Sequence, residues 1–184
     1  MNSETSLLQA DISLSRAMKE EIHLVPYDQR WPASFAAEKK RLLAFFSDSL
    51  VEIEHIGSTA VPNLSAKPII DIIASVPTMD IAKQILGPLC GYGYVTSDSF
   101  NSRLSDRVWL LRHSGGHRTH HLHIVEVRSM GWKRALRFRD ALRASKDLAL
   151  SYQKLKLELA ESAGSDRDAY ARAKSKFVND VVER

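Results

Sequence analysis

The sequence predicts an α/β-type domain (α+β) that ends in a helical segment. Segments of strand length, either apolar or alternating in polarity, occupy much of the chain up to about residue 127, and helical patterns, one of them early, lie among them. From Met130 onward the apolar residues recur at helical spacing. Strands with an early helix, followed by a run of helices, indicate an α/β core with a helical C-terminal segment.

The first half of the chain predicts two helices and two strands. Residues 1–21 are polar with loosely spaced apolar residues, and they predict a partly ordered or helical extension ahead of a single domain over residues 22–184. A helix is expected after Pro32, and its apolar side comes from Phe35, Leu42, Leu43 and Phe46. The other predicted elements are strands over 51–56 and 69–76, a turn of helix between Pro62 and Pro68, and a helix from Thr78 to about Cys90.

The second half predicts three strands and the C-terminal helices. The strands are expected over residues 92–95, 107–112 and 119–127. The segment Ser114-Gly115-Gly116 has the small residues of a hairpin turn and is expected to join the last two strands. The helical pattern after Met130 is interrupted near residues 145–147 and 163–165, which predicts separate helices.

Composition narrows the classes of function. A net charge of +4 and a pI near 9.2 favour anionic small molecules. A single-stranded nucleic acid is not favoured as a partner, because few aromatic residues flank the basic segment over 133–143 and could stack on its bases. No segment approaches the roughly 20 apolar residues that span a membrane. A single cysteine, Cys90, is typical of a cytoplasmic protein without a disulfide framework. The sequence leaves the oligomeric state open, a homo-oligomer included.

An apolar strand, a Gly-Ser turn and a second apolar strand with one acid follow one another over residues 54–73. The backbone N–H groups at Gly57-Ser58 can hold phosphate oxygens, because glycine permits a close approach and the following helix presents free donors. Asp71 lies in an otherwise hydrophobic strand, where a carboxylate is costly to bury unless a cation or hydrogen-bond donors meet it. Together they predict a site for a phosphorylated ligand and a divalent metal.

This segment also carries a family resemblance. The run His55-Ile-Gly-Ser-Thr-Ala-Val-Pro-Asn-Leu-Ser-Ala-Lys-Pro-Ile-Ile-Asp71 resembles the signature of the GrpB family, a branch of the nucleotidyltransferase superfamily. Three further segments also match, so the resemblance extends over roughly residues 22–182. They are Val25–Pro32 with Phe35 and Glu38; His120–Glu126; and Phe138–Arg143 with Tyr152, Leu155, Lys156, Tyr170 and Lys174. A GrpB-like domain also occurs fused to dephospho-CoA kinase in some organisms.

The resemblance implies a nucleotidyltransferase-like fold, with a mixed β-sheet flanked by helices. It also implies a nucleoside triphosphate donor, a small-molecule acceptor and a divalent metal, Mg²⁺ or Mn²⁺, with Zn²⁺ as a further option. In the wider superfamily the strand after Gly-Ser bears two acids spaced Asp-x-Asp, which share a face and grip the same metals. Here Asp71 has Ile69 two residues before it and Ile73 two after it, so one implied acid is missing.

His121 and His123 are candidates to compensate for that acid. They lie two apart on a predicted strand, so their rings share a face, whereas His120 and Glu126 point the other way. With Asp71 they would form a two-His, one-carboxylate metal site, which favours Zn²⁺, Mn²⁺ or Fe²⁺ over Mg²⁺. In the alternative interpretation, one imidazole is a hydrogen-bonded core residue and the other contacts phosphate.

Residues around the turn complete the predicted site. Asp71 and His55 are the predicted catalytic residues, with His55 as a base or a phosphate-orienting group beside the turn. The predicted phosphate-binding residues are Gly57, Ser58, Lys67 and Arg118. Glu54 and Glu126 are additional candidate acids.

Three functions are compatible with these residues. The first is a metal-dependent transferase that moves a nucleotidyl group from a nucleoside triphosphate to a small molecule. The second is a binding module that holds a nucleotide or a coenzyme A-like ligand without transfer, and Ile69 at the position of an acid supports it. The third is a metal-dependent hydrolase built on the two histidines.

Overall fold

A five-stranded mixed sheet forms the centre of the protein. The computed structural model describes residues 23–115, 117–162 and 167–183, so the predicted extension over 1–21 lies outside the described residues. The strands are β1 (Glu52–Ile56), β2 (Ile70–Val76), β3 (Tyr94–Val95), β4 (Arg107–Ser114) and β5 (His117–Glu126). Their order across the sheet is β1-β2-β5-β4-β3.

The two central strands, β2 and β5, run parallel, and the other neighbouring pairs are antiparallel. Six of the seven residues of β2 are buried, as expected for a strand covered on both faces. The antiparallel pairing of β4 with β5 confirms the predicted hairpin. The predicted mixed sheet with flanking helices is therefore confirmed.

Helices cover both faces of the sheet. They are α1 (Trp31–Phe46), α2 (Met79–Gln84), α3 (Leu86–Gly91), α4 (Asp98–Asn101), α5 (Met130–Ala144), α6 (Lys146–Ser162) and α7 (Arg167–Val182), with a 3-10 turn over Ser58–Ala60. One face packs against α1, α2 and α3 through a large core that includes Leu42, Ile72 and Leu122. On the opposite face, Ile73 and Val125 pack against Trp132 of α5.

Three local predictions were wrong. The helix expected from Thr78 to Cys90 is two short helices, because Pro88 lacks a backbone donor and fits only within the first turn of a new helix. The turn of helix expected between Pro62 and Pro68 forms before Pro62 instead, over Ser58–Ala60. Leu43, expected on the apolar side of α1, is 39% exposed.

A buried ionic cluster ties α1 to the far edge of the sheet. Glu38 is 3% exposed, and its Oε1 accepts hydrogen bonds from Arg41 Nη2 at 2.6 Å and from the Tyr94 hydroxyl at 2.7 Å. Its Oε2 pairs with Arg112 of β4. Burial opposes ionisation of Glu38, but the hydrogen bonds from Arg41 and Tyr94 hold its pKa below the usual value. This carboxylate is fully satisfied by its own fold.

None of the helices in the described ranges combines the length and the apolar composition that crossing a membrane requires.

Candidate functional site

The parallel pairing of β2 with β5 brings Asp71 beside His121. The two residues are paired in the register of the sheet, so their side chains lie on the same face, the one covered by α5. Nδ1 of His121 lies 2.9 Å from Oδ1 of Asp71. Because the carboxylate can only accept, Nδ1 carries the proton of this hydrogen bond, and the contact fixes the orientation of the ring.

Nε2 of His121 is buried and has no hydrogen-bond partner among the described residues. The ring meets the edge of Trp109, with ring centroids 5.4 Å apart. A buried polar atom without a partner is costly in a folded protein, so it usually serves a purpose. Here the carboxylate orients the imidazole and leaves one nitrogen ready to accept a proton or bind a ligand.

Asp71 is held in its ionised form. Burial opposes the charge, but the hydrogen bond from His121 and the nearby His123 and Lys174 hold its pKa below the usual value. Its side chain remains 30% exposed, so the carboxylate borders open space.

The Gly57-Ser58 turn lies directly over this carboxylate. Gly57 has a φ of +71°, and a Cβ built on it would lie 2.4 Å from Oδ2 of Asp71. Only glycine permits both this backbone conformation and this approach. Ser58 then begins the 3-10 turn and lines the same cavity as Asp71.

Lys156 of α6 reaches the same turn from the C-terminal segment. Its Nζ lies 3.0 Å from Oγ of Ser58 and also donates to the carbonyl of Ser65. The residue is 2% exposed, and its hydrogen bonds go to a hydroxyl and a carbonyl rather than to a carboxylate. Burial and the nearby Lys174 lower the pKa of Lys156 to about 7.

Two adjoining cavities open beside Asp71. The smaller, of about 180 Å³, is lined by Ser58, Lys67, Asp71, His121, Lys156 and Lys174. The larger, of about 740 Å³, has lining residues with ionisable side chains that include Asp71, Asp106, Arg107, His123, Arg134 and Lys174. Three lysines face one acid in the smaller cavity, so its electrostatic character suits an anionic ligand.

The structure brings together most of the predicted site. Ser58, Lys67, Asp71 and His121 line the smaller cavity. Gly57 and His123 line the larger one, next to Asp71. Burial lowers the pKa of His123 to about 4, so its ring is neutral near pH 7.

His55 lies on the opposite face of the sheet from Asp71. Its ring stacks on Phe35 of α1, with centroids 4.8 Å apart and planes 10° apart, and burial lowers its pKa to about 4. Nε2 of His55 is 3.0 Å from Oγ1 of Thr59, which itself donates to the carbonyl of Ile69. This position does not favour the predicted catalytic role, since the ring is a packed, hydrogen-bonded core group.

The remaining candidates lie away from the cavities. Arg118 and Glu126 line neither of the two cavities. Glu126 alternates with His121 along β5 and so points to the face of α1, whereas the register of β4 and β5 shifts beside Arg118, where simple alternation does not apply. Glu54 shares the face of Asp71, but it pairs at 2.6 Å with Nη1 of Arg139. Arg139 also bonds its neighbour Asp140 on α5, and its pair with Glu54 joins this helix to β1.

Lys156 and Lys174 also line the smaller cavity, although neither was among the predicted site residues. Both belong to positions that carried the family resemblance, but a lysine on a helix is usually exposed. The available signal was the spacing of Lys156 four residues after Tyr152, a buried aromatic residue, because such residues share one helix face.

The predicted metal centre is not assembled. Within residues 23–115, 117–162 and 167–183, no three His, Cys, Asp or Glu side chains are grouped to hold a metal ion. Oδ1 of Asp71 bonds the ring of His121 directly, and His123 lines a different cavity. The residues present therefore do not fit a resident transition metal with the ligands Asp71, His121 and His123.

Comparisons with protein families, with known sequences and with solved structures all point to the same family. A family model described as GrpB protein matches residues 21–184. A UPF0157 protein of Pseudomonas aeruginosa is 37% identical over 171 residues, which cover 92% of this chain and 70% of that protein. The crystal structure of the conserved protein GrpB from Enterococcus faecalis is 29% identical, with a TM-score of 0.71, over 86% of this chain and 98% of that one.

Some relatives are longer than this chain. The UPF0157 protein YqkA of Bacillus subtilis is 33% identical over 90% of this chain, which spans only 47% of that protein. A protein named dephospho-CoA kinase from Mycolicibacterium paratuberculosis is 28% identical over 95% of this chain, which spans 48% of it. This chain therefore corresponds to about half the length of these two relatives.

Proposed function

Because this chain belongs to the GrpB family, we propose that it binds a nucleoside triphosphate through its phosphates and transfers the nucleotidyl group to a small molecule. The observation that supports this most directly is the smaller cavity, where three lysines from separate parts of the chain surround a Gly-Ser turn and one carboxylate. The partial similarity to a protein named dephospho-CoA kinase also favours a nucleotide-related ligand.

The phosphate chain would lie along the turn. Backbone N–H groups at the start of the 3-10 turn and the hydroxyl of Ser58 present donors to phosphate oxygens. Lys67 and Lys174 stand in the wall of the cavity as flexible positive charges. Arg107 and Arg134 line the adjoining larger cavity, which has room for the nucleoside or for the acceptor.

Asp71 and His121 would activate the acceptor. The carboxylate fixes the imidazole through Nδ1, and Nε2 is then positioned to take a proton from an attacking hydroxyl. In this proposal Asp71 keeps its predicted catalytic importance, and His121 becomes a base rather than a metal ligand.

A divalent ion would have to arrive with the nucleotide. Mg²⁺ is commonly held by one or two carboxylates together with substrate phosphates, and Asp71 is the carboxylate that borders the cavity. When bound, such an ion would neutralise part of the phosphate charge.

The proposal is tested by nucleotide binding to the purified protein. Isothermal titration calorimetry with ATP, GTP, CTP and UTP, with and without Mg²⁺, should reveal binding to at least one of them. Replacing Lys174 with Met should weaken that binding about tenfold, equivalent to about 1.4 kcal/mol. The matched control is Lys176→Met, two residues further on α7, where the lysine is 78% exposed and pairs with Asp180. Equal affinities in both variants would contradict the proposed site.

A second candidate is a binding module that holds the nucleotide without transferring it. Ile69 at the position of a second acid favours this function, because two carboxylates normally share the metals in nucleotidyl transfer. Pyrophosphate release distinguishes the two: a transferase releases it in the presence of an acceptor, and Asp71→Asn stops the release. Tight binding with an unchanged nucleotide would establish the module instead.

A further inference from the structure

The contact between Lys156 and Ser58 is unusual for a structural lysine. Nζ lies 3.0 Å from Oγ of Ser58, and the side chain is 2% exposed. A buried ammonium whose hydrogen bonds go to a hydroxyl and a carbonyl is poorly compensated, since a carboxylate is the usual partner of a buried lysine. The ring of Tyr152, with its centroid 5.0 Å from Nζ, and the charge of Asp71 favour the ammonium, but burial and Lys174 outweigh them and make the neutral amine accessible near pH 7.

The geometry of the neutral amine suits a base. The carbonyl of Ser65 accepts one N–H of Lys156 and fixes the amine, whose lone pair can then accept the hydroxyl proton of Ser58. A lysine desolvated beside another cation is a known way to obtain a basic amine near neutral pH, and Lys174 is the neighbouring cation here. The hydroxyl of Ser58 borders the smaller cavity, at the turn that Gly57 holds against Asp71.

We propose that Ser58 is a nucleophile, that Lys156 is its base, and that the protein forms a covalent nucleotidyl-serine with the nucleotide it binds. This inference rests on the proposed function for the identity of the electrophile. A cavity with Lys67 and Lys174 in its wall selects a phosphorus centre, because these cations stabilise the negative charge of phosphate oxygens during attack.

The step balances as a simple displacement. Oγ of Ser58 attacks the α-phosphorus of the nucleoside triphosphate, and the bond between that phosphorus and the bridging oxygen of the pyrophosphate breaks. The pyrophosphate leaves with the electron pair, and the hydroxyl proton moves to Nζ of Lys156. The products are nucleotidyl-Ser58, pyrophosphate and a protonated Lys156. A hydroxyl of the acceptor can then displace Oγ, which recovers its proton from Lys156, while His121 takes the proton of the acceptor.

The test is to capture the adduct in the absence of an acceptor. The full-length protein is incubated with ATP labelled at the α-phosphate, and with GTP, CTP and UTP in parallel, then denatured and analysed by intact-mass spectrometry and peptide mapping. The expected result is label on Ser58, which is lost in Ser58→Ala and reduced at least about a hundredfold in Lys156→Met. The matched controls Ser151→Ala and Lys154→Met, exposed positions on the same helix as Lys156, should keep the label.

A pH profile of wild-type labelling provides a second measurement that does not depend on whether Lys156→Met folds. Among the described residues, the ionisable groups around Lys156 are Asp71 on β2 and Lys174 on α7, with Lys67 and His121 in the same cavity. The labelling rate should rise as pH increases through about 7, where Lys156 loses its proton. A rate that is flat or falls across this range would overturn the role of Lys156.

The outcomes separate this inference from the proposed function. A protein that binds a nucleotide and releases pyrophosphate with an acceptor, but forms no adduct, retains the proposed function and overturns the nucleophile. Label on another residue, or full labelling of Ser58→Ala, overturns it as well. A protein that binds none of the nucleotides overturns both proposals.

Discussion

The two sides of the sheet each hold a carboxylate, and their surroundings differ. Glu38, on the side of α1, is 3% exposed and meets two guanidinium groups and a phenol. Asp71, on the side of α5, is 30% exposed, bonds one imidazole and borders a cavity lined by lysines. The fold itself completes the partners of Glu38, whereas a cavity with lysines in its wall lies beside Asp71.

This difference between the surroundings of Glu38 and Asp71 indicates that one carboxylate stabilises the fold and that the other is placed for a ligand. A buried ion pair that is completed within the fold holds elements together, and removing one member leaves an uncompensated charge. A set of like charges around a cavity costs stability and is kept where a ligand of opposite charge completes it. We therefore expect Glu38 to stabilise the scaffold and Asp71 to belong to the proposed site, and four changes test that expectation.

The largest expected effect is a loss of stability when the Glu38 cluster is broken. Glu38→Gln should lower the free energy of unfolding by about 3 kcal/mol, because Arg41 and Arg112 lose their shared counter-ion. Urea denaturation at pH 7 measures it, and nucleotide affinity should not change. The control Glu158→Gln removes an exposed carboxylate and should stay within about 0.5 kcal/mol of wild type. A small effect of Glu38→Gln would show that the cluster is not structural.

The next effect concerns the turn. Gly57→Ala should lower the free energy of unfolding by about 2 kcal/mol, since it adds strain at a positive φ and places a methyl group against Oδ2 of Asp71. Gly93→Ala is the matched control, with a φ of +92° but nothing within 4 Å of the added Cβ. The excess loss in Gly57→Ala reports the contact with Asp71, and nucleotide affinity should fall in this variant alone. Equal losses in the two variants would mean that the turn is not held against the acid.

The third change should stabilise the protein rather than destabilise it. Lys156→Met should raise the free energy of unfolding at pH 6 by about 1–2 kcal/mol, because it removes a poorly compensated buried charge. The pKa of Lys156 is about 7 in the folded protein and ordinary in the unfolded chain, so between these values only the unfolded chain holds the proton. Wild-type stability therefore rises over that range relative to the variant, and the advantage of Met shrinks above pH 7. Thermal unfolding at pH 6 and pH 9 measures the change, and an advantage that grows with pH would contradict it.

The smallest effect concerns His55. His55→Leu should lower the free energy of unfolding by about 1 kcal/mol, through loss of the hydrogen bond to Thr59, while the leucine continues to pack on Phe35. Nucleotide affinity and any pyrophosphate release should remain near the wild-type values. A stable His55→Leu variant that has lost pyrophosphate release would return His55 to the site, as the sequence first suggested.

The sequence predicted the sheet well because its strands are short apolar or alternating segments bounded by small residues. It also predicted that Gly57, Ser58 and Asp71 lie together, since a Gly-Ser turn before an acid in a hydrophobic strand is a local pattern. The alternation along β5 correctly separated His121 and His123 from His120. These are properties of neighbouring residues, which a sequence carries directly.

Long-range relations were harder to predict. Strand alternation showed that Glu54 and His55 point to opposite faces, but which of them shares the face of Asp71 depends on the pairing of β1 with β2. The contact of Lys156 with Ser58 depends on how α6 docks, and a lysine is normally assigned to the surface. The direct bond between Asp71 and His121 depends on the register of two parallel strands fifty positions apart.

The contact of Lys156 with Ser58 can form only after the five strands have been synthesised, because Lys156 follows all of them in the sequence. The sheet has all its strands once Glu126 has emerged from the ribosome, whereas Lys156 and Lys174 belong to helices that emerge later. A nascent chain can thus close its sheet while the Gly-Ser turn still has no amine beside it. In the proposed mechanism Ser58 gains its base only when α6 docks on the sheet, so the docking of this helix would be the step that makes the serine reactive.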